Sequence, residues 1–279
     1  MKEGYLSPID KIIDSALEED LGPGDITTEA IVDLSMKGEA RLIAKEEIIL
    51  AGIEVFSRVF SRLDPEIVVE TKYRDGEAVS NGEDIGIVKG SMRGILSGER
   101  TALNFLQRLS GIATLTRKYV ERTDSSKVRV IDTRKTTPGL RILEKYAVRR
   151  GGGFNHRFGL FDGILIKDNH IAVAGSIAEA LARIKGRVPH TLRIEVEVED
   201  IKGVEEAIGA GADAILLDNM SLKETREAVS IAGGRVLLEA SGGITLESIE
   251  EVSKTGIDLI SVGAITHSAR SVDISLEVI

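Results

Sequence analysis

The sequence predicts an α/β protein in two parts, a β-rich N-terminal domain followed by a parallel α/β barrel. Three observations predict it. From about residue 126 short β-branched runs alternate with helical patterns, polar residues gather at the carboxyl ends of those runs, and before residue 110 strands are instead broken by Asp-Gly and Asn-Gly turns. A chain of 279 residues has room for both parts, since domains commonly run to ~100–200 residues.

In the N-terminal part, "GEARLIAKEEIILAG" (38–52) and "IVVETKYRDGEAVSNGEDIGIVKGSMRG" (67–94) read as strands and turns. The second stretch resembles the hairpins of lipoyl and biotinyl carrier domains, with Lys89 as the lysine to be modified, although Lys89 is not centred in a hairpin. "LSGERTALNFLQRLSGIATLTRKYVERT" (96–123) carries Leu103, Leu106, Leu109, Ile112 and Leu115 at helical spacing. It reads as a helix joining the domains, with Gly111 as a point of kinking.

The barrel strands are read at 128–132, 163–167, 192–198, 214–218, 235–240 and 258–263. Their carboxyl ends bear Arg134 and Lys135, Lys167 and Asp168, Glu197, Asp218 and Asn219, Ser241 with Gly242, and Gly263, and in α/β barrels that end carries the active site. An open doubly wound sheet shows the same alternation and also binds ligands at strand carboxyl ends, so it stands beside the barrel as an alternative. "VDISLEV", near the C-terminus, alternates like a strand returning to the first domain.

Composition narrows the chemistry. The absence of cysteine excludes disulfides, thiolate zinc sites and a cysteine nucleophile. A net charge of -9 argues against nucleic acid, and with 42% hydrophobic and 29% charged residues the chain reads as an ordinary soluble globular protein. Neither a signal peptide nor a membrane span is apparent, so a cytoplasmic location is expected. A single Gln and five Asn beside many ionic residues form a weak thermophile-like signature.

Against that acidic background the stretch from Asp132 to His170 holds eight Lys or Arg and four acids. Arg141, Lys145, Arg149 and Arg150 recur at helical intervals after Pro138 and read as a solvated helix face. Arg134 and Lys135 instead follow a strand directly, and "NHRFGLFDGILIKDNH" adds His156, Arg157 and Lys167. Guanidinium forks bind carboxylate or phosphate oxygens two at a time, so the cluster calls for a multiply anionic ligand. A structural ion-pair network is the alternative. "RIEVEVED" sets Glu195, Glu197 and Glu199 on one strand face. Glu197, with Asp218 of the next strand, makes a pair suited to magnesium and phosphate oxygens, while Glu195 and Glu199 read as ion-paired or exposed. "EASGGIT", with a helix expected to begin near Thr245, and "SVGAITHS" read as Gly turns that cradle phosphate. "GAGAD" reads as a helix stop, and "GGGFN" as a helix cap or a loop beside the mouth.

Taken in order, "EEDLGPGDITT", "LSGERTALNFLQRLSGIAT", "DTRKTTPGLR", "EKYAVRRGGGFNHRFGLFDGILIKDNH", "EVEVED", "LLDNM", "EASGGIT" and "ISVGAITHS" closely resemble the quinolinate phosphoribosyltransferases, the nicotinate-nucleotide pyrophosphorylases (carboxylating) of NAD synthesis. The resemblance implies an N-terminal α/β hammerhead-like sandwich (1–112), an incompletely closed α/β barrel (113–268) and a C-terminal segment (269–279) returning to the first domain. Such barrels are usually described with seven strands, one more than the six read above.

It further implies that quinolinate and phosphoribosyl pyrophosphate give nicotinate mononucleotide, pyrophosphate and carbon dioxide with Mg2+. By the same resemblance Arg134, His156, Arg157 and Lys167 hold the quinolinate carboxylates with Thr133 nearby, and Lys135 contacts the donor's phosphates. Glu197 and Asp218 lie near the ribose hydroxyls and the metal, and Ser241, Gly242 and Gly263 cradle the 5′-phosphate; Glu197, Asp218 and Lys135 would be catalytic. Arg100 would reach the neighbouring subunit's site, implying a homodimer or a hexamer of dimers. A related enzyme for another carboxylated base, and a non-catalytic anion-binding protein, are the competing readings.

Overall fold

The computed structural model describes residues 7–123 and 128–279. Residues 1–6, part of the opening that was read for a leader, lie outside the described residues. In chain order the elements begin with α1 (Pro8–Leu21), α2 (Ile26–Ile31), β1 (Lys37–Ala44), β2 (Ile48–Ile49), α3 (Ile53–Leu63), β3 (Val68–Thr71), β4 (Ala78–Val79), β5 (Asp84–Ser91) and α4 (Met92–Glu121). They continue with β6 (Arg129–Ile131), α5 (Arg141–Arg150), β7 (Ile164–Ile166), α6 (Asp168–Ala174), α7 (Ile177–Lys185), β8 (Ile194–Val198), α8 (Ile201–Gly209), β9 (Ala214–Asp218) and α9 (Leu222–Ala232). The last are β10 (Leu237–Ser241), α10 (Ile249–Ser253), β11 (Leu259–Ser261), α11 (Ala264–His267) and β12 (Ile274–Val278).

These elements form two compact units that interleave along the chain. The first takes the chain as far as Arg117, then Thr136–Gly152 and Ser268–Ile279; the second takes Lys118–Lys135 and Gly153–His267.

In the first unit an antiparallel sheet runs β12-β1-β5-β3. The C-terminal strand β12 pairs with β1 from Ala40↔Val278 to Ala44↔Ile274. Beneath it lie Leu42, Ile85, Val88, Phe56 and Phe60, all fully buried, and the two phenylalanine rings meet edge to face at 5.1 Å. Helix α4 runs unbroken for 30 residues. Gly111 does not end it: a Cβ there would collide with the Arg270 carbonyl, so the glycine admits the returning C-terminal segment. Lys89 sits mid-strand on β5, paired with Glu70 at 2.9 Å, which is not the exposed hairpin tip a carrier lysine needs.

The division in sequence order at 112/113 gives α5 to the barrel, whereas by packing α5 groups with the first unit. Glu144 of α5 is fully buried and accepts from Arg108 of α4 at Nε (3.2 Å) and Nη2 (2.8 Å), and from Thr137 N (3.1 Å) and Oγ1 (2.8 Å). The same packing overturns one expectation for this helix. Lys145 is 4% exposed and not on a solvated face, whereas Arg149 and Arg150 are exposed.

The second unit holds the six predicted strands as one parallel sheet, order β6-β11-β10-β9-β8-β7. Hydrogen bonds do not close it, since β6 and β7 are its two edges; a single parallel bridge, Ile131↔Phe154, extends it past β6. Val196, Ile215, Leu217, Leu238 and Ile260 are buried, and on β8 and β9 they alternate with Glu195, Glu197, Leu216 and Asp218 on the other face.

Candidate functional site

The site is built from that other face. Strand register sets Glu197 of β8, Leu216 of β9 and Glu239 of β10 in one row. One step toward the carboxyl ends, Asp218 lies beside Ser241. Residues that follow both edge strands, Thr133, Arg134 and Lys135 after β6 and Lys167 after β7, line the same cavity as these central-strand side chains. The sheet therefore curls round the cavity, as an incompletely closed barrel does.

The cavity measures ≈ 310 Å³ and is lined by Thr133, Arg134, Lys135, His156, Arg157, Leu165, Lys167, Glu197, Leu216, Asp218, Glu239, Ser241 and Ser261. Four cations thus share one concavity of ligand size. Burial, and then the neighbouring Arg134 guanidinium, pull Arg157 below the usual arginine value. The Glu195 and Asp162 carboxylates offset part of that repulsion, and an anion in the cavity would offset more of it. A larger cavity of ≈ 630 Å³ runs along β7 and α6, but Leu160, Ile164, Val173, Ala180 and Ile184 make most of its wall apolar, with Arg157, His170 and Arg183 as its basic lining residues.

Local structure aims the side chains. Asp132, fully buried at the end of β6, accepts from His156 N at 2.8 Å and from Asn155 Nδ2 at 2.7 Å, which fixes the loop carrying His156 and Arg157. Arg157 Nη1 donates to the Gly163 carbonyl at 3.0 Å. Lys135 N donates to Thr133 Oγ1 at 3.0 Å, and Thr266 Oγ1 donates to the Lys135 carbonyl at 2.8 Å. Asn219 is the only described non-glycine residue with positive φ, at 54°; its N–H donates to Ser241 O (3.0 Å) and its Nδ2 to Asp218 Oδ2 (3.0 Å). A strained backbone of this kind concentrates at ligand clamps.

Thr133, Arg134, Lys135, His156, Arg157, Lys167, Glu197, Asp218 and Ser241 are therefore brought together as the sequence suggested. Three others are not. Gly242 lines an adjacent cavity of ≈ 420 Å³ with Leu217, Ser221 and Ile244. Gly263 lies beneath Lys135, whose Cδ would be 3.2 Å from a Cβ added there. Arg100 is exposed on α4 in the first unit. The helix expected from Thr245 starts only at Ile249 and has five residues, because a turn closed by Thr245 N donating to Ser248 Oγ (3.0 Å) precedes it.

Two pairings change the charge reading. Lys167 Nζ is ion-paired with Glu197 Oε2, so cation and carboxylate neutralise each other across the mouth. His156 Nδ1 accepts the Arg157 N–H at 2.7 Å, which leaves the ring proton on Nε2, 2.8 Å from Glu195 Oε2. His156 is thus a neutral donor to Glu195 and not a fifth cation. The sequence passed over Glu239, a single acid inside an apolar run, together with Ser261, Leu165 and Leu216. For Glu239 the available signal was its position, two residues before Ser241 on the same strand face.

Comparison with known proteins agrees with this geometry. Residues 25–110 match the model of the quinolinate phosphoribosyl transferase N-terminal domain and residues 112–277 that of its C-terminal domain. A probable nicotinate-nucleotide pyrophosphorylase [carboxylating] of Bacillus subtilis is 47% identical over 268 residues, 96% of this chain and 92% of that protein. The crystal structure of NadC from Streptococcus pyogenes superposes with TM-score 0.94 at 45% identity, covering 99% of this chain and 98% of that one. The nicotinate-nucleotide pyrophosphorylase from Francisella tularensis gives TM-score 0.93 at 44% identity, covering 99% and 98%. With both family models matched across two adjoining spans and relatives alike over almost their full length, the chain belongs to the quinolinate phosphoribosyl transferase family.

Proposed function

We propose that the chain transfers the phosphoribosyl group of phosphoribosyl pyrophosphate to quinolinate with decarboxylation, giving nicotinate mononucleotide, pyrophosphate and carbon dioxide in NAD biosynthesis. The observation that carries this is the polyanion-sized cavity in which Arg134, Lys135, Arg157 and Lys167 converge. Arg134 and Arg157 would grip the quinolinate carboxylates, with Thr133 beside them, and Lys135 the phosphates of the donor. Held this way, the ring nitrogen meets the anomeric carbon without a bimolecular search. Glu197 and Asp218 face the sugar, where positive charge develops as pyrophosphate departs. His156, neutral in the ligand-free chain, would serve as a neutral ring against the base.

The same two carboxylates suit Mg2+, which prefers a few hard oxygen ligands plus substrate phosphates. They stand at the carboxyl ends of the neighbouring strands β8 and β9 and line one cavity. When bound there, the ion would neutralise charge on the departing pyrophosphate. Lys167 must then release Glu197, which frees it for the base. Ser241 at the strand end, beside Gly242, would receive the 5′-phosphate, with Gly263 contributing from beneath Lys135. Once the nitrogen is alkylated, the pyridinium draws electrons from the neighbouring C2 and carbon dioxide can leave.

Arg100 would complete the site of a second subunit, so the working form would be a homodimer or a hexamer of dimers. No helix among the described residues is long and apolar enough to cross a membrane. Incubating the protein with quinolinate, phosphoribosyl pyrophosphate and Mg2+ should yield nicotinate mononucleotide and carbon dioxide. Product from nicotinate without carbon dioxide would point to the related single-carboxylate enzyme, and no product from either base would refute the reading.

A further inference from the structure

Glu239 is a buried acid that this scheme leaves unused. It is 1% exposed, and neither carboxylate oxygen has a hydrogen-bond partner among the described residues. Glu195 and Glu197 of β8, His156 and Ser261 of β11 face it, with His156 Nε2 3.7 Å from Glu239 Oε2. The trio His156, Glu195 and Glu239 has the makings of a metal site. The tautomer argues against one: Nε2 carries the ring proton, because Nδ1 accepts from Arg157 N, so no lone pair is left for an ion. A proton answers the clustering instead. Burial first, and then the Glu195 carboxylate, hold Glu239 well above the ordinary range, which favours the neutral acid.

Its position joins two cavities. On one side Glu239 lines the mouth with Arg134 and Lys167; on the other it lines a second cavity of ≈ 340 Å³ at the amino-terminal ends of the strands, with Arg129, Arg193, Ala214 and Leu259. A group placed so can face a ligand on one side and water on the other.

The proposed reaction needs such a group. When the bond from C2 to the carboxylate breaks, carbon dioxide leaves neutral and the electron pair stays on C2, which must gain a proton. Guanidinium groups do not release protons in this range, and Lys167, once released by Glu197, is taken up by a carboxylate of the base. We propose that Glu239 is the acid that protonates C2: its O–H bond breaks, the proton joins the C2 electron pair to form a C–H bond, and a carboxylate remains. Water in the second cavity returns one proton to that carboxylate in each turnover. This step rests on the decarboxylating reaction proposed above.

Glu239→Gln keeps the shape and removes the proton. In a rapid-quench single turnover with quinolinate, phosphoribosyl pyrophosphate and Mg2+, pyrophosphate should still appear, and an adduct keeping both carboxylates should accumulate. Nicotinate mononucleotide should form about 10²-fold more slowly or worse, the usual contribution of a general acid. Product at the wild-type rate, or pyrophosphate and product slowed in parallel, would overturn the assignment. A second readout does not need activity. An acid whose folded-state value is raised contributes stability that is present at low pH and lost as pH climbs through that value, and glutamine does not titrate. The melting temperature of Glu239→Gln relative to wild type should therefore rise between about pH 5 and about pH 8. A constant difference would mean that Glu239 is not held neutral. If the wild-type chain makes no product, the proton transfer falls with the reaction, and this comparison still decides whether the neutral acid stands.

Discussion

Glu144 in the first unit and Glu239 in the second are equally buried glutamates with opposite surroundings. Glu144 accepts four hydrogen bonds, two of them from the Arg108 guanidinium, and its charge is compensated. Asp75, in the same unit, likewise accepts from Gly52 N (2.8 Å) and Ile53 N (3.1 Å) at the start of α3, and from Tyr146 Oη (2.6 Å). Burial, and then the bond to Asp75, push the Tyr146 hydroxyl up to about 12, so it remains a donor. Among the described residues neither Glu239 oxygen meets hydrogen-bond geometry, and Ser261 and the Glu195 and Glu197 carboxylates face it. Buried polar groups that are fully paired hold a fold together, whereas one left unpaired lowers stability and persists where chemistry needs it.

That contrast can be broken from either side. The largest expected effect is on stability, at Arg108. Replacing it by Met strands the Glu144 charge in the interior, and one-sided removal of a buried pair costs about 3–5 kcal/mol. Chemical denaturation should show that loss; a change under about 1 kcal/mol would reduce the pair to decoration and remove the contrast with Glu239. Next comes Arg134, which is exposed at the mouth and repels Arg157. Arg134→Ala should leave the melting temperature unchanged or slightly raised and lower transition-state binding by about 2–5 kcal/mol, read as kcat/KM for quinolinate. Unaltered kinetics would sink its assignment to the base.

The two regions also differ in how far the sequence disclosed them. All six parallel strands were legible because each is a β-branched run bounded by polar residues, and β9 matches its expected span, 214–218, at both ends. The mouth was legible too, because strand carboxyl ends converge in this architecture whatever the ligand. Long-range pairing was not. Nothing local tells that Glu144 meets Arg108, 36 residues away, so α5 read as a barrel helix and Lys145 as solvated. Nor does local pattern reveal that Lys167 and Glu197, 30 residues apart, cancel each other. The helix after "SGG" was misplaced for another reason. Gly242 and Gly243, at φ 98° and 59°, and the Thr245–Ser248 turn that follows them delay the helix to Ile249.

The smallest effect should come from Asn219, where the mouth stores backbone strain that no described non-glycine residue of the first unit carries. A left-handed conformation costs an ordinary L-residue roughly 1–2 kcal/mol, which glycine avoids and asparagine partly offsets by local hydrogen bonding. Asn219→Gly removes the Nδ2 bond to Asp218 and relieves the strain, so stability should stay within about 1 kcal/mol of wild type. Asn219→Ala loses the same bond and keeps the strain, so it should be the less stable of the two by about 1 kcal/mol. Both variants release Asp218 alike, so their kcat should fall by the same factor. If instead the glycine variant is the less active, the strained backbone itself, through Asn219 N and Ser241 O, holds the mouth in register, and the side chain is secondary.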